Sequence, residues 1–269
     1  MIKRILVGVS GAPDTEAKVA WTLDLATRHG ASVTVLSVVD RERLLNVGPV
    51  PLGAGYYAER LGHDRVHRGL AAAEQAVEQV RAACSGAGVP VEVLRQEGDP
   101  FDHLLRAWRY ADLCVLGAKG WFDHDLIPEP EHALLRLIAR GMRPLLAVPG
   151  TTRPVNKVLI AYNGSLESAK AMKQFLQAPL WQGQETHLAC IGAPKSGEDA
   201  QLLLFDATDY ARSHGVEPHV ANPPPGESAW QTLLDHAGEI GADAIVLGSS
   251  YRRMLISQRF GRNAINLLR

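Results

Sequence analysis

Cysteine is scarce in this chain: Cys84, Cys114 and Cys190 are the only three, far apart and without metal or redox spacing. They read as small core residues, two of them inside predicted strands. Charge of one sign is missing too, because a net charge of -1 gives no overall attraction for nucleic acid or an anionic membrane. No apolar run approaches the roughly 18 residues of a membrane span, and the N-terminus enters a strand without a basic, apolar, cleavable leader. A cytoplasmic protein is expected. Aromatic residues are few, and Trp21, Trp108, Trp121, Trp181 and Trp230 are dispersed as core or contact residues, not as a base-stacking platform. No Gly-x-Ser-x-Gly elbow, His-Glu-x-x-His pair or supported carboxylate pair occurs, so nothing speaks for an enzyme.

What the chain does have is a repeat. Ala111-Asp112-Leu113-Cys114-Val115-Leu116-Gly117 returns as Ala242-Asp243-Ala244-Ile245-Val246-Leu247-Gly248, and Ile5-Leu6-Val7-Gly8-Val9-Ser10-Gly11 returns as Val158-Leu159-Ile160-Ala161-Tyr162-Asn163-Gly164. With 46% apolar and 21% charged residues over 269 positions, either half is able to bury its own core. Two related domains are expected, 1–150 and 154–269, joined at Pro149-Gly150-Thr151-Thr152-Arg153-Pro154. So short a join predicts that they pack together as an internal pseudo-dimer.

Short apolar runs bounded by Gly, Pro and Asp alternate with helical spacing, the pattern of parallel strands joined by crossover helices. In the first half the strands are predicted near 3–9, 32–39, 90–95, 112–117 and 143–148, with helices near 14–29, 66–86, 100–110 and 131–140. Asp99-Pro100 reads as a cap and first-turn proline. In the second half strands fall near 157–162, 185–191, 216–221 and 243–248, and helices near 165–176, 197–214, 227–240 and 261–268. The fold class is α/β, two doubly wound, Rossmann-like parallel-sheet domains.

The halves differ in two places. The offset between copies falls from 153 residues at the first strand to 131 at the fourth, and most of that excess sits at 40–65, read as a long loop on the ligand side of the sheet, either a lid or a plain surface excursion. The second half also runs out before a fifth strand. Its sheet then has an open edge, which invites a partner element or a homodimer.

The βαβαβαβαβ half, the Ala-Asp-x-x-Val-x-Gly-x-x-Gly stretch and the closing Arg143-Pro144-Leu145-Leu146-Ala147-Val148 resemble the universal stress protein family, and the whole chain resembles its tandem form. In the nucleotide-binding branch an Asp ends the first strand near the adenine, a backbone position ends the second, and G-x2-G-x9-G-[S/T] holds the phosphates. Carried over, the first half offers Ser10, Val38, Gly117 and Gly120, but its loop holds Asp123, Asp125, Glu129 and Glu131 against one lysine. The second half offers Asn163, Gly164, Ile191, Gly248, Ser249, Ser250, Arg252, Gly261, Arg262 and Asn263. There Tyr251 stands in a glycine position and Arg262 in the Ser/Thr position, while Arg252, Arg253, Arg259 and Arg262 meet no carboxylate within 248–262. The resemblance implies ATP or AMP as ligand, and the charge contrast points to the second half.

Other constellations are weaker. Ser10-Gly11-Ala12-Pro13-Asp14-Thr15 loosely resembles the loop of ATP pyrophosphatases, although a turn with Asp14 or Thr15 capping the first helix explains it as well. His63 and His67, four apart beside Asp64, lack a third metal ligand. Asp102-His103 and Asp235-His236 read as exposed polar faces. The expected function is a non-enzymatic stress-response protein acting through ligand- or partner-controlled association. The alternatives are a scaffold that has lost nucleotide binding and an adenine-nucleotide-using enzyme at Ser10–Asp14.

Overall fold

The run Ile5-Leu6-Val7-Gly8-Val9 is buried throughout, which a strand achieves in the middle of a sheet covered by helices on both faces. It forms the centre of the first of two units, Ile2–Thr152 and Arg153–Arg269. The computed structural model describes residues 1–11, 14–118, 137, 140, 143–191, 199–224 and 226–248, and the backbone of 251–253 and 258–260.

The first unit runs β1 (Arg4–Val9), α1 (Thr15–His29), β2 (Ser32–Val39), α2 (Arg41–Leu45), α3 (Gly55–Gly86), β3 (Val91–Glu97), α4 (Pro100–Trp108), β4 (Leu113–Gly117) and β5 (Leu145–Val148). Its five strands are all parallel, in the order β3-β2-β1-β4-β5. The second unit repeats the plan with β6 (Lys157–Tyr162), α5 (Leu166–Gln177), β7 (Glu185–Cys190), α6 (Ala200–Ser213), β8 (His219–Ala221), α7 (Ala229–Ile240) and β9 (Ala244–Val246). Here four parallel strands lie in the order β8-β7-β6-β9, and no fifth joins them among the described residues. A two-stranded antiparallel hairpin follows, β10 (Tyr251–Arg253) and β11 (Gln258–Phe260).

Local chemistry places most of the boundaries. Asp99 caps α4 by accepting from Phe101 N at 2.8 Å with Pro100 in the first turn, and Asp199 and Ser228 cap α6 and α7 in the same way. Cys114 lies in β4, Cys190 in β7 and Cys84 in α3, all buried. No described helix is long and apolar enough to cross a membrane.

Two expectations are corrected. The segment 40–65 is not one loop: Asp40 caps the short α2, and α3 is already helical from Gly55, giving it 32 residues. Its first turns escaped notice because they carry almost no buried stripe; Tyr56 and Tyr57 are 69% and 73% exposed. Gly62 is the one buried residue of 55–65, and a Cβ on it would lie 3.1 Å from the carbonyl oxygen of Leu45 in α2. A lid of structureless chain is therefore excluded at 55–65. The second correction concerns His236, which is largely buried beside Glu239 at 3.6 Å and is no exposed polar face. The helix expected at 131–140 has only Leu137 and Arg140 within the described residues, and the one at 261–268 lies outside them.

The aspartate of the repeated motif has the same task in both copies. Asp112 Oδ2 accepts from the backbone N–H groups of Lys3 at 2.9 Å and Arg4 at 3.1 Å, tying β4 to the start of β1. Asp243 Oδ2 accepts from Asn156 at 2.9 Å and Lys157 at 3.1 Å, tying β9 to the start of β6. In each case the aspartate's own N–H completes the ladder, to Arg4 O and Lys157 O respectively. Asp112→Ala is expected to cost the first unit about 2–3 kcal/mol, the worth of a charge-assisted pair of hydrogen bonds, read by urea unfolding, and Asp243→Ala the second unit a similar amount.

At the same end of the second sheet, Glu185 gathers three basic groups: His187 Nε2 at 2.7 Å, Lys157 Nζ at 3.4 Å and His219 Nε2 at 3.7 Å. The hydrogen bond to His187, and then Lys157, hold its carboxyl below the ordinary value of 4.5. A depressed carboxyl contributes stability above its unfolded value and loses it as pH falls through the folded one. The stability gap between wild type and Glu185→Gln is thus expected to be constant near neutrality and to close below about pH 4.5 in pH-resolved denaturation curves.

Candidate functional site

In each sheet the chain reverses its order beside the central strand, and ligands of doubly wound sheets bind at that switch point, off the carboxyl ends of the strands. The switch lies between β1 and β4 in the first unit and between β6 and β9 in the second. The residues singled out by sequence are distributed accordingly. Ser10 follows β1, Val38 lies near the end of β2, and Gly117 ends β4. Asn163 follows β6, Ile191 follows β7, and Gly248 lies two residues past β9, so these three share one edge of the second sheet. Gly120, Ser249, Ser250, Gly261, Arg262 and Asn263 lie outside the described residues, and Arg252 is placed by its backbone in β10.

The tip of β6 is a closed hydrogen-bonded turn. Gly164 takes φ 73°, a left-handed value that a side chain resists. Asn163 Oδ1 accepts from Ser165 N at 3.2 Å, and Ser165 Oγ accepts from Ser168 N at 3.2 Å, capping α5. Ser168 Oγ in turn accepts from Asn163 N at 3.4 Å and donates to Ser165 O at 2.9 Å. The turn thus presents the N-terminus of α5 to the switch point in one fixed conformation, an electropositive end suited to anions.

Gly248 completes that arrangement. A Cβ there would overlap the carbonyl carbon and oxygen of Glu167 and stand 2.5 Å from Ser168 N, so the strand end is pressed against the first turn of α5. The glycine is required by this backbone contact, whatever else it does. The hairpin that follows was not foreseen: a loop of glycine spacing was expected across 248–262, yet Tyr251 pairs with Phe260, Arg252 with Arg259 and Arg253 with Gln258. Its signal was the polar and β-branched-poor sequence of 251–260, which gives alternation too short to read.

The first unit's tip differs. Gly11 takes φ 79°, and a Cβ on it would lie 2.6 Å from Ala72 Cβ in α3. Ser10 is 2% exposed and its Oγ makes no hydrogen bond. Asp14 holds the N-cap position of α1 but makes no capping hydrogen bond, contrary to one expectation; its Oδ1 lies 3.0 Å from Nζ of Lys18, a lysine whose side chain is fully buried. Sequence reasoning missed Lys18. The signal was there, because Lys18, Trp21, Thr22 and Leu25 form the buried stripe of α1 at helical spacing.

Burial pushes the thiols of Cys114 and Cys190 upward, disfavouring the nucleophilic thiolate. Among the described residues no group of three His, Cys, Asp or Glu side chains is placed to hold a metal ion, and that includes the neighbourhood of His63 and His67.

The profile of the universal stress protein family matches residues 1–138. The chain belongs to this family. A universal stress protein of Synechocystis is 24% identical over 220 residues, covering 75% of this chain and 74% of the relative. The crystal structure of a universal stress protein from Archaeoglobus fulgidus matches with a TM-score of 0.63 at 18% identity, over 90% of this chain and 83% of the other. A putative universal stress protein from Pseudomonas aeruginosa matches with a TM-score of 0.55 at 14% identity, over 99% and 89%. At these identities the structures speak for the fold: two parallel α/β units of universal stress type, the second with four strands.

In this universal stress protein Gly248→Ala is expected to drive a methyl group into the α5 backbone. The cost is about 1–3 kcal/mol of second-unit stability, the range of overpacking, measured by chemical denaturation. Gly241→Ala, with a left-handed φ of 63° but nothing within 4 Å, is the matched control and should cost only about 1 kcal/mol.

Proposed function

We propose that this universal stress protein binds an adenine nucleotide, ATP or AMP, or another phosphate ligand at the switch point of its second unit. It acts in the cytoplasm by ligand- or partner-controlled association and catalyses no reaction. The observation that carries the reading is the junction at Gly248, where the strand end meets the N-terminus of α5 and leads directly into an arginine-bearing hairpin. A helix N-terminus and a cationic loop favour the same ligand charge. The hairpin register sets Arg252 opposite Arg259. Within this reading Asn163, Gly164 and Ile191 flank the base, and Gly248, Ser249, Ser250, Arg252, Gly261, Arg262 and Asn263 flank the phosphates. The ligand biases association by its unequal affinity for the associated and free states, a second copy at the free edge of β9 being the proposed partner.

A second reading, a stress scaffold without nucleotide, is favoured by two features. Tyr251 replaces a glycine where backbone must approach phosphate, and the polar groups of Asn163, Ser165 and Ser168 already satisfy one another. Nucleotide extraction and native mass spectrometry of purified protein separate the two. Bound ATP or AMP is expected, weakened at least about tenfold, ~1.4 kcal/mol, by Arg262→Glu and unchanged by Asp123→Lys in the first unit's loop. Protein that purifies free of nucleotide and gives no calorimetric heat with ATP or AMP overturns the nucleotide reading in favour of the scaffold.

A further inference from the structure

We propose that the first unit carries a separate binding site for a small oxyanion of the phosphate class, built on the buried ammonium of Lys18 with Ser10, and held closed by the carboxylate of Asp14. The site lies at the crossover from β1 to α1. Lys18 is fully buried, and its Nζ has Asp14 Oδ1 at 3.0 Å as ion-pair partner but no hydrogen bond of good geometry. Besides that ion pair, Ser10 Oγ, Asp14 Oδ2 and Thr22 Oγ1, all on the same β1–α1 crossover and its helix, are buried and make no hydrogen bond. Such atoms normally find partners, and where they gather, a ligand or function accounts for them.

The fold does not ask for this lysine. At the offset of 153 residues that relates Ser10 to Asn163, Lys18 corresponds to Ala171, and α5 packs on its sheet without a buried charge. Burying an ammonium costs several kcal/mol that a single i,i+4 carboxylate repays only in part. Asp14 also forgoes its ordinary work. Asp40, Asp99 and Asp199 stand at the same position of their helices and each accepts a hydrogen bond from a first-turn N–H, at 3.0, 2.8 and 2.6 Å. Asp14 does not, and α1 has no side-chain cap.

Asp14 therefore has two uses that exclude each other. It neutralises Lys18, or it caps α1. An oxyanion that takes over Lys18, with the Ser10 hydroxyl donating to it, releases Asp14 to the helix end, so one loss is offset by one gain. The route in is through Asp14 itself, the member of the pair whose side chain reaches solvent, at 14% exposure against 0% for Lys18. Thr22 lies one turn beyond Lys18 on the same buried face of α1.

The test is calorimetric titration of the full chain with inorganic phosphate and, separately, with AMP, on wild type, Lys18→Met, Ser10→Ala, Asp14→Asn and Arg262→Glu. In an Arg262→Glu background, which silences the second unit, phosphate binding is expected to persist, to be lost on adding Lys18→Met, weakened severalfold by Ser10→Ala and tightened by Asp14→Asn. Tightening on removal of a carboxylate is not what a merely structural ion pair gives. Should Lys18→Met or Asp14→Asn fail to fold, the double substitution Lys18→Met with Asp14→Leu, which removes both charges of the pair at once and strands neither, still decides. AMP heat that disappears with Lys18→Met identifies a phosphate ester as the ligand, and phosphate heat alone identifies the free anion; both support the site. No phosphate heat in wild type or Asp14→Asn, or binding abolished by Arg262→Glu but not by Lys18→Met, overturns it and leaves the second-unit reading to its own test.

Discussion

Each unit hangs on a central strand buried on both faces and fixed at its start by one carboxylate. Asp112 and Asp243 each hold two backbone N–H groups at the point where the chain enters the sheet. A strand with apolar residues on both sides gains nothing from alternation to set its register, so a one-residue slip would cost little in burial. The aspartate supplies the missing specification. With β1 or β6 locked, the neighbours β2 and β4, or β7 and β9, take their register from it.

From that anchor the rest follows by local rules. Crossover helices α4, α5, α6 and α7 start at Asp or Ser caps, and α1 and α7 end at Gly30 and Gly241 in the left-handed conformation. The strand ends then meet the helix starts at the switch point. In the second unit this meeting is so close that Gly248 tolerates no side chain, while in the first a buried lysine pairs with the aspartate at the start of α1. The two copies share a frame and differ in what fills it.

Most of the frame was legible in the sequence, because apolar runs between Gly, Pro and Asp announce strands and the repeat announces the units. β1, β2 and β6 fall within a residue of their expected limits. The rest was hidden for identifiable reasons. The first turns of α3 have no buried stripe to betray a helix, and β8 takes up only the last three of the six residues expected at 216–221. Asp112 and Asp243 stood in plain view within the doubled motif, yet a hydrogen bond between residues more than 80 positions apart leaves no local trace. Nothing but its spacing from Trp21 and Leu25 marks Lys18 as buried, and charge normally means exposure. The candidate site in the second unit was legible as position but not as shape, since the hairpin 251–260 has no periodicity to reveal it.

The clamp and the crevice lie at opposite ends of the same six-residue strand, about 20 Å apart. Whatever happens chemically at Ser10 or Asn163 therefore leaves the anchoring of that strand untouched. A duplicated unit of this design can exchange an acidic loop for a basic one, or admit a buried charge, while the other end of the molecule goes on specifying the same sheet. Divergence of chemistry is mechanically insulated from the fold, and the distance that insulates it is simply the length of one strand.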